Sequence, residues 1–143
     1  MTSAGGDAPG RLSTAVATFD DLFRRDAGHP LGRLFSDEAQ LIWPEVPPIV
    51  GPYEISAAFA AFAEAFQTIS YEPRYDLVEA QPPLAVVAGT FIEVRRDRAT
   101  GQIERVHRRI IFAWRDEPER GWRCSRLMTS RYAESESLGV GDA

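Results

Sequence analysis

The clearest pattern in this chain is an alternation of apolar and polar residues through most of its last third. Ala85 to Val94, Arg105 to Arg115 and Trp122 to Arg131 each read as a long strand, and successive side chains of a strand point to opposite faces. In the middle stretch one face carries Val106, Arg108, Ile110, Phe112 and Trp114, and the other Arg105, His107, Arg109, Ile111 and Ala113. In the last stretch Trp122, Cys124, Arg126 and Met128 oppose Arg123, Ser125, Leu127, Thr129 and Arg131. Asp97 to Gly101 and Asp116 to Gly121 supply the turns between them.

Upstream, the period changes to between three and four. Val16, Phe19, Leu22 and Phe23 form one helical stripe that Ser13 or Thr14 can cap and Gly28 can end. Pro30 suits the first turn of a short second helix through Leu34 and Phe35, and Ala39 to Trp43 predicts a strand stopped by Pro44. Gly51, Pro52 and Glu54 open the clearest helix, because proline fits the first helical position and an acid there meets the positive end of the helix dipole. Its stripe of Ile55, Phe59, Phe62, Phe66 and Ile69 needs a large apolar partner. A sheet of Tyr71 to Ala80 and the three later strands, with Ala39 to Trp43 at an edge, is the partner the sequence offers. Helices followed by an antiparallel meander predict a single α+β domain over residues 11–132. Residues 1–10 read as a disordered tail and residues 133–143 as a second, loose one.

Composition narrows the function more by exclusion than by assignment. The 143 residues suffice for one buried core. A net charge of −5 argues against a general polyanion binder or an anionic membrane surface as partner. No apolar run approaches the roughly 20 residues that span a bilayer. All sixteen basic residues are arginine, which excludes lysine Schiff-base chemistry. One cysteine and two histidines leave neither an internal disulfide nor a zinc-type ligand set, so no metal is expected, and a cytoplasmic setting follows. Half of the arginines fall between Arg105 and Arg131, but Glu104, Asp116, Glu117 and Glu119 beside them argue for a salt-bridged sheet face and against nucleic acid.

Several short motifs follow one another in a specific order. They are Leu34-Phe35-Ser36-Asp37-Glu38-Ala39 before the first strand, Gly51 at the long helix, Ala85-Val86-Val87-Ala88-Gly89, Arg109 to Trp114, Gly121-Trp122-Arg123 and Ser130. From about Ser13 to Arg131 this order resembles the NTF2-like superfamily, in particular its SnoaL-like and DUF4440-like members. The resemblance implies a cone-shaped fold: a strongly curved, antiparallel mixed sheet wrapped around the long helix, two further N-terminal helices, and a conical cavity. It also implies homodimers through the outer face of the sheet. Cofactor-independent isomerases, cyclases, hydrolases and dehydratases share that fold with plain association modules, so the fold fixes the place of a site and not its chemistry.

Set beside the ketosteroid isomerases of the same superfamily, the resemblance points Arg105, His107, Arg109, Ile111 and Ala113 into the cavity, together with Arg123, Ser125, Leu127, Thr129 and Arg131. A guanidinium there needs a counter-charge. For Arg109 that is either an anionic or carbonyl-bearing ligand or an internal acid such as Glu93 or Asp76. His107 is a candidate proton carrier because imidazole exchanges protons near neutral pH. Glu93 is a second candidate, subject to a hairpin register in which one residue of slip reverses its facing. The same placement puts Trp43 where the isomerases carry their proton-abstracting carboxylate, and Phe19 and Ile111 where they carry two oxyanion-stabilising groups. Neither Phe19 nor Ile111 can donate a hydrogen bond, which excludes that isomerisation. Trp43, Tyr53, Phe59, Phe62 and Phe66 are then the expected aromatic wall for a small hydrophobic or anionic molecule. Ile110, Phe112 and Trp114, left on the outside by this placement, would favour a non-catalytic association role.

Overall fold

The computed structural model describes residues 4–141; residues 1–3 and 142–143, the outermost parts of the two expected tails, lie outside the described residues. Helix α1 (Ala4–Arg24) buries Leu12, Val16 and Phe19. It starts at Ala4, well before the expected cap at Ser13 or Thr14, within the segment 1–10 that the sequence suggested as a tail. It stops at Arg24 and not at Gly28, because Asp26 adopts φ 57° and the Ala27 N–H turns back to the Leu22 carbonyl. Gly28 instead opens α2 (Gly28–Leu31), where a Cβ would overlap the backbone of Ala60. A 3₁₀ turn (Gly32–Leu34) leads into β1 (Phe35–Ile42), followed by the short β2 (Ile49–Val50).

Helix α3 (Pro52–Ala65) seats Ile55 and Phe59 in the core. Phe66 and Ile69 belong to the next element, β3 (Phe66–Gln81), and Ile69 is exposed. The helical stripe therefore ends at Phe62. Apolar spacing alone does not separate the last turn of a helix from an apolar strand that follows without a break. The meander continues through β4 (Leu84–Asp97), β5 (Gln102–Glu117) and β6 (Gly121–Arg131). The strand order is β2-β1-β6-β5-β4-β3, with β1 parallel to β6 and the other neighbours antiparallel. The result is an α+β domain of three helices and one mixed, curved, unclosed sheet. Within the segment expected as a second, loose tail, Glu136–Val140 forms β7, which pairs with Gln102 to Arg105 of β5 beyond the end of β6. Among the described residues no helix is long and apolar enough to cross a membrane.

Burial settles which face of each strand points inward. In β5, Val106, Ile110, Phe112 and Trp114 are buried, whereas Ile111 is 46% exposed and Arg109 lies in solvent. The expected inward facing of His107, Arg109 and Ile111 is thus corrected, and so is the outer apolar strip of Ile110, Phe112 and Trp114. Removing that apolar set from water is worth on the order of 25 cal/mol per Å² of buried surface, and the opposite set offers arginines whose burial would cost. Strand β6 changes phase midway. Trp114 pairs with Cys124 but Ala113 with Arg126, so Ser125 is the extra residue of a bulge. Trp122 and Cys124 face inward before it, and Leu127 and Thr129 after it. A bulge in β3 between Tyr75 and Leu77 accompanies Gly89 of β4, where a Cβ would overlap the Arg74 carbonyl. The aromatic core closes over this surface, with Phe19 edge-on to Phe112 at 5.0 Å and Trp43 edge-on to Phe59 at 5.3 Å between ring centroids.

Candidate functional site

A cavity of about 210 Å³ opens between α1, α3, the Trp43–Val46 turn and the concave face of the sheet. Its apolar walls come from helix positions spaced to face the sheet, Phe19 and Phe23 on α1 and Phe59 and Phe62 on α3, with Trp43 after β1. Phe91, Ile110 and Leu127 form its floor. One end is polar, because the inward alternation of β4 carries on from Phe91 to Glu93 and Arg95, while that of β5 runs from Ile110 back to Arg108. Thr129 and Arg131 of β6 complete this end.

The charges there are unevenly satisfied. The Arg95 guanidinium donates from Nε to Glu104 Oε1 at 2.8 Å, contacts the same oxygen through Nη2 at 2.7 Å, and lies 4.1 Å above the Phe66 ring. Its Nη1 is 4.0 Å from Glu93 Oε1. Glu93 itself is 1% exposed and its Oε2 has no hydrogen-bond partner. Burial pushes its carboxyl up to about 7, a rise that Arg95 and Arg108 partly oppose and that Asp26 and Glu104 reinforce. Arg108 Nη1 is likewise buried without a partner. Burial lowers the Arg108 pKa, and the nearby Arg95 and Arg131 cations lower it further. Arg95, Arg108 and Arg131 thus line this end together with Glu93, while Glu104 pairs with Arg95 and Asp26 adds a further negative charge near Glu93.

A second polar group backs the cavity. Tyr71, whose ring lines it, and Tyr75 both donate to Asp20 Oδ1, at 3.1 and 2.7 Å. Burial raises the Asp20 pKa against the pull of the two phenols and Arg24, and burial likewise raises both tyrosines. This network fixes α1 on β3.

Of the residues singled out from the sequence, Phe19, Trp43, Phe59, Phe62, Phe66, Glu93, Leu127 and Thr129 line the cavity, whereas Tyr53, His107, Arg109, Ile111 and Ser125 do not. His107 Nε2 lies 2.7 Å from Glu136 Oε1 of β7, and Arg105 donates to the other oxygen of that carboxylate at 2.9 Å. The Glu136 carboxyl is lowered chiefly by its hydrogen bond to His107. Arg109 stacks over Tyr132 at 5.3 Å on the outer surface, and its neighbour Arg108 is the β5 cation that lines the cavity. Ser125 Oγ donates to the Ala113 carbonyl at the bulge. Sequence reasoning missed Arg95 and Arg108, while Arg131 lies on the face of β6 expected to line the cavity. The signal was present in the apolar alternation Val106, Ile110, Phe112, Trp114, which carries Arg108 on the same face. Among the described residues no group of three or more His, Cys, Asp or Glu is arranged to hold a metal.

Neither a family model nor a curated protein matches the sequence. Solved structures do match. A ketosteroid isomerase-like protein from Erwinia carotovora atroseptica superposes with a TM-score of 0.78 at 19% identity, over 85% of this chain and 94% of that one. A nuclear transport factor 2 (NTF2-like) superfamily protein from Salmonella enterica gives 0.76 at 18% identity, over 98% and 99% of the two chains. The fold is NTF2-like. A third NTF2-like neighbour, provisionally described as a calcium/calmodulin dependent protein kinase II association domain from Xanthomonas campestris, gives 0.68 at 16% identity over 87% of each chain. Such identities speak for the NTF2-like architecture and leave the chemistry to the residues of this cavity.

Proposed function

We propose that this protein binds a small, largely apolar molecule with an anionic or carbonyl end, and acts on it by cofactor-independent acid–base chemistry of the isomerase, cyclase, hydrolase or dehydratase kind. One observation carries the reading: Glu93 Oε2 and Arg108 Nη1 are both buried and both unpartnered in the wall of one aromatic cavity. Buried polar atoms are nearly always hydrogen-bonded, so an unsatisfied donor and acceptor in one wall favour a ligand that satisfies them. Arg108 takes the anchoring role expected of Arg109, and Glu93, held near neutrality, takes the proton-carrying role expected of His107. Thr129 offers a hydroxyl at the same end, and Trp43 and Phe62 pack the ligand body. Trp43 and Phe19, which stand where the ketosteroid isomerases carry a carboxylate and an oxyanion donor, supply neither, which argues against that isomerisation. The reading fits a cytoplasmic protein. Calorimetric titration of small carboxylates and aromatic ketones into wild type and Arg108→Leu tests it. Binding weakened at least tenfold by the substitution is expected, and equal binding by both proteins would refute the anchoring role.

A non-catalytic association role is favoured by a separate observation. Val86, Ile92, Ile111 and Met128 are exposed on the outer face of the sheet, and Ile111 pairs directly with Met128. This strip is the proposed homodimer surface. A dimer contact on the convex face would leave the cavity on the concave face free, so dimerisation by itself does not decide between the two readings.

A further inference from the structure

We propose that the ligand of this cavity is a monocyclic organic acid of about the size of benzoate or phenylacetate, which binds as its anion while Glu93 takes up one proton. This deepens the small-molecule reading above and rests on it. Size comes first. An apolar cavity of about 150 Å³ holds one benzene ring, and one water accounts for about 30 Å³ of liquid. The cavity here, about 210 Å³, therefore has room for a ring and roughly two further small groups, and none for a fused polycycle. Its walls match a ring in kind as well as size, since Trp43 meets Phe59 edge-on at 5.3 Å and Phe62 tilted at 5.9 Å, and all three line the space.

The polar end fixes the rest by its donors and acceptors. A carboxylate can only accept hydrogen bonds, and a guanidinium can only donate. Arg108 Nη1, buried and unpartnered, therefore suits a ligand carboxylate directly. Glu93 Oε2, also buried and unpartnered, suits the same carboxylate only as a carboxylic acid, because the ionised form would set acceptor against acceptor and like charge against like charge. The groups around Glu93 do not remove this conflict. Arg95 on its own strand is engaged by Glu104, Tyr71 across the ladder on β3 donates to Asp20, and Asp26 after α1 adds negative charge. Arg108 on β5 and Arg131 on β6 are the cations left to face an incoming anion. The cavity thus accepts a charge and a proton together.

In the free protein Glu93 titrates at about 7. The protonated, binding-competent fraction then falls about tenfold between pH 6 and pH 8, and apparent affinity falls with it. The experiment is isothermal titration of benzoate and phenylacetate into the full chain at pH 5.5, 6, 7 and 8, in buffers of low and high ionisation enthalpy. Uptake of close to one proton per ligand at pH 8 and almost none at pH 5.5 is expected, with a dissociation constant about tenfold weaker at pH 8 than at pH 6. Glu93→Gln should bind with no dependence on pH over that range, and the proton count on wild type stands whether or not that variant folds. Binding without proton uptake would overturn this inference and leave the small-molecule reading intact. Equal affinity for anthracene-9-carboxylate would overturn the size assignment, and failure of every acid and ketone to bind would overturn both readings.

Discussion

Replacing Glu93 by Gln should change how stability depends on pH more than it changes stability itself. The carboxyl titrates at about 7 in the folded protein against an ordinary value of 4.5, so it holds its proton more tightly when folded. Its contribution is fully present at low pH and is lost as the pH rises through 7, because ionising the folded form means placing a charge at a site that is 1% exposed. A gap of about 2.5 between the two values corresponds to about 3.4 kcal/mol in all, of which about 2.5 kcal/mol is lost between pH 5 and pH 8. Gln carries no such term, and every other titrating group cancels in the difference between the two proteins. Urea unfolding at pH 5, 6, 7 and 8 should therefore show the stability difference shifting by about 2.5 kcal/mol in favour of Glu93→Gln as the pH rises. For a chain of 143 residues the unfolding entropy is about 0.3 kcal/mol/K, so the same shift appears in melting temperature as about 8 °C. A difference that stays constant across this range would show that Glu93 titrates as an exposed acid, and the electrostatic account of the cavity would fall with it.

Three further outcomes follow from the geometry. Phe112→Ala should cost about 3–5 kcal/mol in urea unfolding and Ile111→Ala less than about 1 kcal/mol; comparable costs would contradict the facing of β5. Tyr75→Phe, which removes the 2.7 Å hydrogen bond to Asp20, should cost about 1–2 kcal/mol, and a neutral result would show that the phenol–carboxylate group does not hold α1 on the sheet. Ile111→Asp with Met128→Asp should turn a dimer into a monomer in sedimentation equilibrium while leaving carboxylate binding unchanged, and an unaltered sedimentation profile would remove the convex face as the contact.

The fold was legible from the order of elements, and the cavity positions of Phe19, Trp43, Leu127 and Thr129 from the resemblance. What failed was the facing of β5. The chain's own alternation already separated a nearly apolar set, Val106, Ile110, Phe112 and Trp114, from one rich in arginine, and burial follows that separation. Carrying positions over from ketosteroid isomerases chose the opposite set, because a placement one residue out reverses every side chain of a strand. The same placement gave Leu127 and Thr129 correctly, because the bulge at Ser125 supplies a one-residue slip of its own. No periodicity argument finds such a bulge, since it reflects pairing with β5 and leaves no residue-type signature in β6. Arg95 and Arg108 were missed for a related reason. A charged residue inside an apolar face reads as a defect until a cavity and a countercharge are seen beside it.

The position of β7 matters beyond the clasp that Glu136 forms with Arg105 and His107. Strand β6 stops at Arg131, which would leave the first residues of β5 as a bare rim of amide and carbonyl groups, and β7 covers that rim from Gln102 to Arg105. Unpaired strand edges recruit other chains. Strand β7 thus satisfies the rim of β5, and a shortened chain lacking it would leave those backbone groups open next to an otherwise intact domain.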